Sequence, residues 1–342
     1  MITPKERLFK VLKGEKVDRP PCICPGGMMN MITEELMDIT GVNWPEAHSD
    51  ARMMADLSFG VYENGGFENF GVPFCMTVEA EAMGAYVYMG TKINEPRVTQ
   101  YPINHASEWN KLNNIDVNVG RAKVVLEAIK ILKIKNPQVP IVANLTGPVS
   151  LASSLMEPMV YYKELRKNPA EAHKFMKFVT ENLITFGKAQ LEAGADILTI
   201  SDPSGTGEIL GPKMFREFAL PYLNSIIDEL KQHCQGGTII HICGRLKSIY
   251  SELKKLHSNA ISFDAITNIT QMVEFVDNKV IMGNVSTFAL ENNSQENIKS
   301  IAENCIHSGC DILSPACGIG TKTSMDNIRS MVDTAKGYSE II

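Results

Sequence analysis

From residue 139 onward the chain alternates short apolar runs with longer amphipathic stretches. The runs are Val139-Pro140-Ile141-Val142-Ala143-Asn144, then 196–200, 238–242, 260–263, 280–283 and 311–313. They are rich in isoleucine and valine and lack the polar alternation of a half-exposed strand, which predicts parallel strands buried on both faces. Between them the apolar positions recur at helical spacing. Residues 169–193 read as one long amphipathic helix stopped by Gly194, and helices are expected from near Pro212 and over 247–255, 269–276, 295–307 and 324–338.

The first part of the chain is less regular. Thr3-Pro4-Lys5-Glu6-Arg7 reads as a cap followed by proline in a first helical turn. An apolar run, Cys22-Ile23-Cys24, closes at Pro25-Gly26-Gly27, and a methionine-rich segment follows at 28, 29 and 31. Helical patterns cover 33–39 and 50–64 with a loop at 41–48 between them. A strand fits 71–77, and 85–89 alternates like a hairpin strand outside the main sheet. Helical spacing returns over 119–135.

Strands near Cys22, Val72, Ile141, Ile197, Ile239, Ile261, Ile281 and Ile312 make eight, each followed by helical sequence. Eight such units predict an α/β fold, a (β/α)8 TIM barrel with an N-terminal helical and hairpin extension. No proline/serine linker or charge run divides the chain, so residues 1–342 are read as a single domain.

Composition narrows the function classes. The net charge of −6 without a basic block argues against nucleic acid as a partner. No apolar run approaches the roughly 20 residues of a membrane helix, and the N-terminus lacks a signal-peptide core, so a cytoplasmic protein is expected. In that compartment eight cysteines favour free thiols and metal ligands over disulfides.

A barrel of this kind places its chemistry at the C-terminal strand ends. The polar residues there are Asn144, Asp202 with Ser204 behind it, His241, Cys243, Asp264, Asn284 and Cys317. In extended chain, residues i and i+2 face the same way, so His241 and Cys243 can ligate one ion. With Cys317 they make a thiolate–imidazole set suited to tetrahedral Zn²⁺, with a position left for water or substrate. Asp264 is a candidate fourth ligand. Asn144, Asp202, Ser204 and Asn284 are candidates for binding substrate or cofactor, with loop capping as the competing structural role. Taken singly, each cysteine reads first as a small buried hydrophobe, with His241 as a core histidine; it is the combination at matching strand ends that favours a metal. Cys22, Cys24, Cys75, Cys234, Cys305 and Cys310 are expected to pack in the interior, and His48 to be a loop residue.

The segments Lys5-Glu6-Arg7-Leu8 and Leu12 through Pro21 resemble the opening of the uroporphyrinogen decarboxylase superfamily. The whole chain resembles its methylcobalamin:coenzyme M methyltransferases. The matching stretches are 41–48, Glu81-Ala82-Met83-Gly84, Met89-Gly90-Thr91-Lys92, 195–203, His241-Ile242-Cys243-Gly244 and 311–319. The resemblance implies a barrel enzyme with one catalytic zinc on His241, Cys243 and Cys317. It also implies a methylated corrinoid (methylcobalamin or a corrinoid protein) as methyl donor and a small thiol, coenzyme M, as acceptor. Homocysteine, another thiol or tetrahydrofolate would serve the same chemistry as acceptor. A non-catalytic corrinoid-binding role and metal-free decarboxylation are the rival functions. Where the decarboxylases carry arginines after the first strand, this chain has Pro25-Gly26-Gly27-Met28-Met29, which argues against decarboxylation. The loops 201–211 and 26–43 are expected to face the corrinoid, with the methionines at 28, 29 and 31 either on that face or in the core.

Overall fold

The computed structural model describes residues 2–338. Its main sheet holds seven parallel strands: β1 (Phe70–Val72), β4 (Ile141–Thr146), β5 (Ile197–Ser201), β6 (Thr238–Ile242), β7 (Ala260–Phe263), β8 (Val280–Val285) and β9 (Ile312–Pro315), neighbours in that order. Nearly every residue of these strands is buried, as expected of strands covered on one side by helices and filled on the other by barrel side chains. A separate antiparallel hairpin, β2 (Tyr86–Tyr88) and β3 (Arg97–Gln100), lies outside the sheet as its alternating sequence predicts.

The eighth barrel position differs from expectation. Residues 22–24 occupy it, but only one ladder bridge forms, between Cys22 and Leu313 of β9. On the side facing β1, side chains supply most of the pairing. Glu68 accepts from the Cys22 N–H at 3.0 Å, while Asn69 accepts from the Cys24 N–H at 2.9 Å and returns its amide to the Cys24 carbonyl at 2.8 Å. Arg19 holds Glu68 from behind with two bonds of 2.6 and 2.9 Å. A buried carboxylate is stable here because a guanidinium and a backbone donor share its charge. The barrel is therefore closed by a buried ion pair and an amide fork rather than by a full strand.

Helical expectations hold at Glu34–Thr40, Ala51–Glu63, Gly120–Lys135, Pro169–Ala193, Gln295–His307 and Met325–Gly337. The first helix, Pro4–Leu12, starts with a complete capping box between Thr3 and Glu6. The stretch expected as one helix from Pro212 is instead Gly207–Phe218, bent at Gly211, followed by Leu220–Leu230. Proline at 212 ends the helical ladder before it, which places the bend there. Helices Pro148–Leu155 and Pro158–Lys167 follow β4 where no periodicity had marked them. Met29 and Met31 are fully buried, which puts these two methionines in the core rather than on a corrinoid-facing surface. The thiols of Cys22, Cys24 and Cys310 are also interior, and burial raises their pKa values.

Candidate metal centre

Strand alternation delivers the first two ligands. In β6, Ile239 and His241 face the barrel interior, and Cys243 continues that face one step beyond the strand end. Gly244 then turns the chain with φ of 80°, and a Cβ there would lie 2.9 Å from Glu208 and from Thr206. Cys317 arrives from beyond the end of β9. Its neighbour Gly318 allows the Met28 carbonyl to pass; a Cβ on it would lie 2.6 Å from that oxygen.

His241, Cys243 and Cys317 meet, and one potential ligand atom from each lies within 4.8 Å of the others. His241 Nε2 is 3.0 Å from Cys243 Sγ, and the two sulfurs are 3.5 Å apart. Tetrahedral zinc with Zn–S bonds of about 2.3 Å holds two sulfurs about 3.8 Å apart. The donor set and its spacing therefore fit zinc with little rearrangement. The two thiols are coupled. A hydrogen bond from Cys243, and then His241, holds the Cys317 thiol well below the ordinary thiol range, against burial. The same sulfur–sulfur bond, then burial, then the charge of Asp264, push Cys243 up. The shared hydrogen bond thus favours one thiol and one thiolate in the pair over two thiolates.

Behind the imidazole, Nδ1 lies 3.0 Å from Ser262 Oγ on β7, and Ser262 in turn lies 3.7 Å from the sulfur of Met29. The register of β6 with β7 pairs His241 with Ser262. Sequence reasoning assigned neither residue a place behind the histidine. A serine inside the apolar run Ala260-Ile261-Ser262-Phe263 was the available signal.

The other candidates lie in different environments. Asp264 stands outside the triad: one carboxylate oxygen accepts from the Ile266 N–H at 3.2 Å. Asn284 donates to the carbonyls of Asp264 and Thr267 and so braces that loop. Asp202 is fully buried and caps helix Pro148–Leu155, accepting from Ser150 Oγ at 2.6 Å, Ser150 N at 2.8 Å and Val149 N at 3.2 Å. Burial raises its carboxyl to about 6 in spite of these bonds. Ser204 Oγ lies 3.3 Å from Ser153 Oγ in the same cluster. Asn144 donates to the Pro25 carbonyl at 2.7 Å, and its Oδ1 is buried with no hydrogen-bond partner. The same is true of Ser201 Oγ, whose residue pairs with His241 across the β5–β6 ladder. His48 belongs to a short helical turn against Trp44, ring centroids 4.8 Å apart, where burial and then Arg121 depress it to about 3. Glu95, beyond the tip of the hairpin, was not foreseen. Although part of the residue is exposed, burial and then the charge of Cys317 raise its carboxyl to about 7.

A curled parallel sheet with a thiol–imidazole triad at its carboxyl end defines a barrel enzyme with a candidate catalytic metal centre. The profile of the uroporphyrinogen decarboxylase (URO-D) family matches residues 3–338. The chain is 34% identical over 338 residues to the methylcobamide:CoM methyltransferase MtbA of Methanosarcina acetivorans, covering 98% of both chains. It is 33% identical over 340 residues to MtaA of Methanosarcina barkeri, also named a methylcobamide:CoM methyltransferase, with the same coverage. A solved methyltransferase from Methanosarcina mazei superposes with a TM-score of 0.91 at 33% identity, over 98% of this chain and 99% of the other. The chain belongs to the uroporphyrinogen decarboxylase family, on the branch of the methylcobamide:CoM methyltransferases. It is a methyltransferase. Among the described residues no helix is long and apolar enough to cross a membrane.

Proposed function

We propose that this enzyme moves a methyl group from a methylated corrinoid to the thiol of coenzyme M, with zinc held by His241, Cys243 and Cys317. The observation that carries the proposal is the convergence of these three side chains at the barrel mouth, in a chain whose relatives are named for this transfer. Zinc held by these three residues would lower the pKa of a bound thiol, so that the acceptor could react as a thiolate at neutral pH. Everything else falls to the chain's own residues. Cys243 and Cys317, as thiolates, would balance the charge of a divalent ion and so leave an acceptor sulfur there electron-rich. His241 contributes a neutral nitrogen. Ser201 Oγ, buried without a protein partner on the residue paired with His241, is the hydroxyl assigned to the acceptor's tail.

In the transfer the acceptor thiolate attacks the methyl carbon. A carbon–sulfur bond forms, the cobalt–carbon bond breaks, and its electron pair stays on the corrinoid. The interior of an eight-position barrel is filled by side chains, so a corrin ring must approach from outside, free or carried on a corrinoid protein. Exposed apolar residues at the mouth end suit that approach: Ile93 on the hairpin, Ile209 after β5, Ile266 after β7 and Phe288 after β8. Free thiols at the centre fit a cytoplasmic enzyme.

The test follows methylcobalamin by its visible spectrum with coenzyme M, homocysteine or tetrahydrofolate offered separately. Demethylation with coenzyme M and a matching methyl thioether by mass spectrometry is the expected result. Reaction with a different acceptor reassigns the substrate, and reaction with none sinks the proposal. Metal analysis of Cys243→Ala and Cys317→Ala should give well under one zinc per chain; full occupancy in both would refute the ligand assignment.

A further inference from the structure

We infer that Ser262 and Met29 are positioning residues that fix the tautomer of His241 and back it with an uncharged acceptor. This rests on the metal reading of the triad but not on the identity of the acceptor. Hydrogen inventories decide which way each bond runs. A serine hydroxyl has one hydrogen and two lone pairs, while a thioether only accepts, and weakly. Ser262 is fully buried, and its hydroxyl has two partners: His241 Nδ1 at 3.0 Å and Met29 Sδ at 3.7 Å. With zinc on Nε2 the ring proton sits at Nδ1, so the Ser262 oxygen accepts from Nδ1–H and its own hydrogen is left for the Met29 sulfur, which offers none. The lone pair is then at Nε2. That is the nitrogen facing Cys243 Sγ at 3.0 Å.

The backbone makes the arrangement rigid. His241 and Ser262 are paired across the β6–β7 ladder, so the backbone holds the two side chains side by side and only a χ1 rotation of Ser262 would part them. Met29 is fully buried, held in a segment whose Gly26 and Met29 bond each other. The methionine-rich run thus has a task beyond filling space.

The neutrality of the backing group has its own consequence. Metal-bound histidines commonly donate to a carboxylate or carbonyl, which raises the basicity of the ring. A hydroxyl that spends its hydrogen on a thioether adds no charge. With two thiolates already balancing a divalent ion, this leaves the centre able to accept one more anion. A carboxylate at position 262 would tighten the metal and repel an incoming thiolate.

The experiment uses the full-length zinc-loaded enzyme and chelator competition for the zinc dissociation constant. Ser262→Ala should weaken zinc by about 10- to 100-fold, as loss of such outer partners does elsewhere. Met29→Leu should weaken it less, and Ser262→Thr, which keeps the hydroxyl, should restore it. Ser262→Asp should bind zinc at least as tightly as wild type while raising KM for the thiol more than it lowers kcat. In ¹⁵N-histidine-labelled wild type, the Nδ1 proton of His241 should exchange slowly, and it should exchange faster in Ser262→Ala. A zinc dissociation constant within about threefold of wild type in Ser262→Ala overturns the inference. So does a fast-exchanging Nδ1 proton in wild type, a reading that needs no variant to fold. Absence of zinc from the wild-type protein would instead refute the metal reading itself.

Discussion

Replacing Asp202 by asparagine should remove a pH-dependent component of stability, and the structure sets its size and sign. The Asp202 carboxyl is fully buried, and burial raises it to about 6 although three donors from Val149 and Ser150 point at it. In the unfolded chain an aspartate titrates near 3.9. The folded state therefore holds the proton more tightly. The associated stability is complete below about pH 4 and is lost as pH rises through 6. Two pKa units at about 1.4 kcal/mol each give a fall of roughly 3 kcal/mol. Asparagine carries no titrating proton, and its single acceptor oxygen can serve Ser150 but not Val149 as well, so a fixed offset separates the two proteins at pH 4. By pH 7 to 8 wild type should have lost about 3 kcal/mol relative to the variant. Urea unfolding of both metal-free proteins at unit pH steps measures this, with chelator present so that proton competition at the cysteines does not enter. Contributions from Glu79, Asp311 and other raised carboxyls cancel in the difference. A difference that stays constant within 1 kcal/mol from pH 4 to 8 would refute the account of Asp202 as a desolvated helix cap.

Glu68→Gln breaks the pair with Arg19 that substitutes for a strand ladder, and should cost about 3–5 kcal/mol in denaturant unfolding. A loss under 1 kcal/mol would mean the barrel closes by other contacts. Gly318→Ala places a carbon 2.6 Å from the Met28 carbonyl, so the Cys317 loop must move. About 1–3 kcal/mol of destabilisation is expected, together with weaker zinc retention under chelator challenge; unchanged retention would show that the loop has slack. Phe288→Asp, at a side chain 75% exposed, should change stability by no more than about 0.5 kcal/mol. It should nonetheless raise KM for methylcobalamin, and an unchanged KM would remove Phe288 from the corrinoid-facing rim.

What the chain determined by itself was everything encoded locally. Buried strands announce themselves by continuous Ile/Val runs, so β4 to β9 stood out without coordinates. The His241–Cys243 pair was legible for the same reason, because two residues of extended chain separate side chains on one face. Cys317 was legible only through the assumption that strand ends converge, which the barrel makes true. Tertiary structure decided the rest. Cys22-Ile23-Cys24 reads as an ordinary strand, yet most of its partners on the β1 side are side-chain atoms of Glu68 and Asn69, and no periodicity reveals that. Asp202 sits at a strand end like a substrate ligand but turns both oxygens into helix Pro148–Leu155. Met29 and Ser262 are 233 residues apart in sequence and become neighbours of His241 only through register and closure. Local pattern fixes which way a side chain leaves its own backbone. What it meets there depends on the register of other strands, and that is set by the packing of the whole barrel.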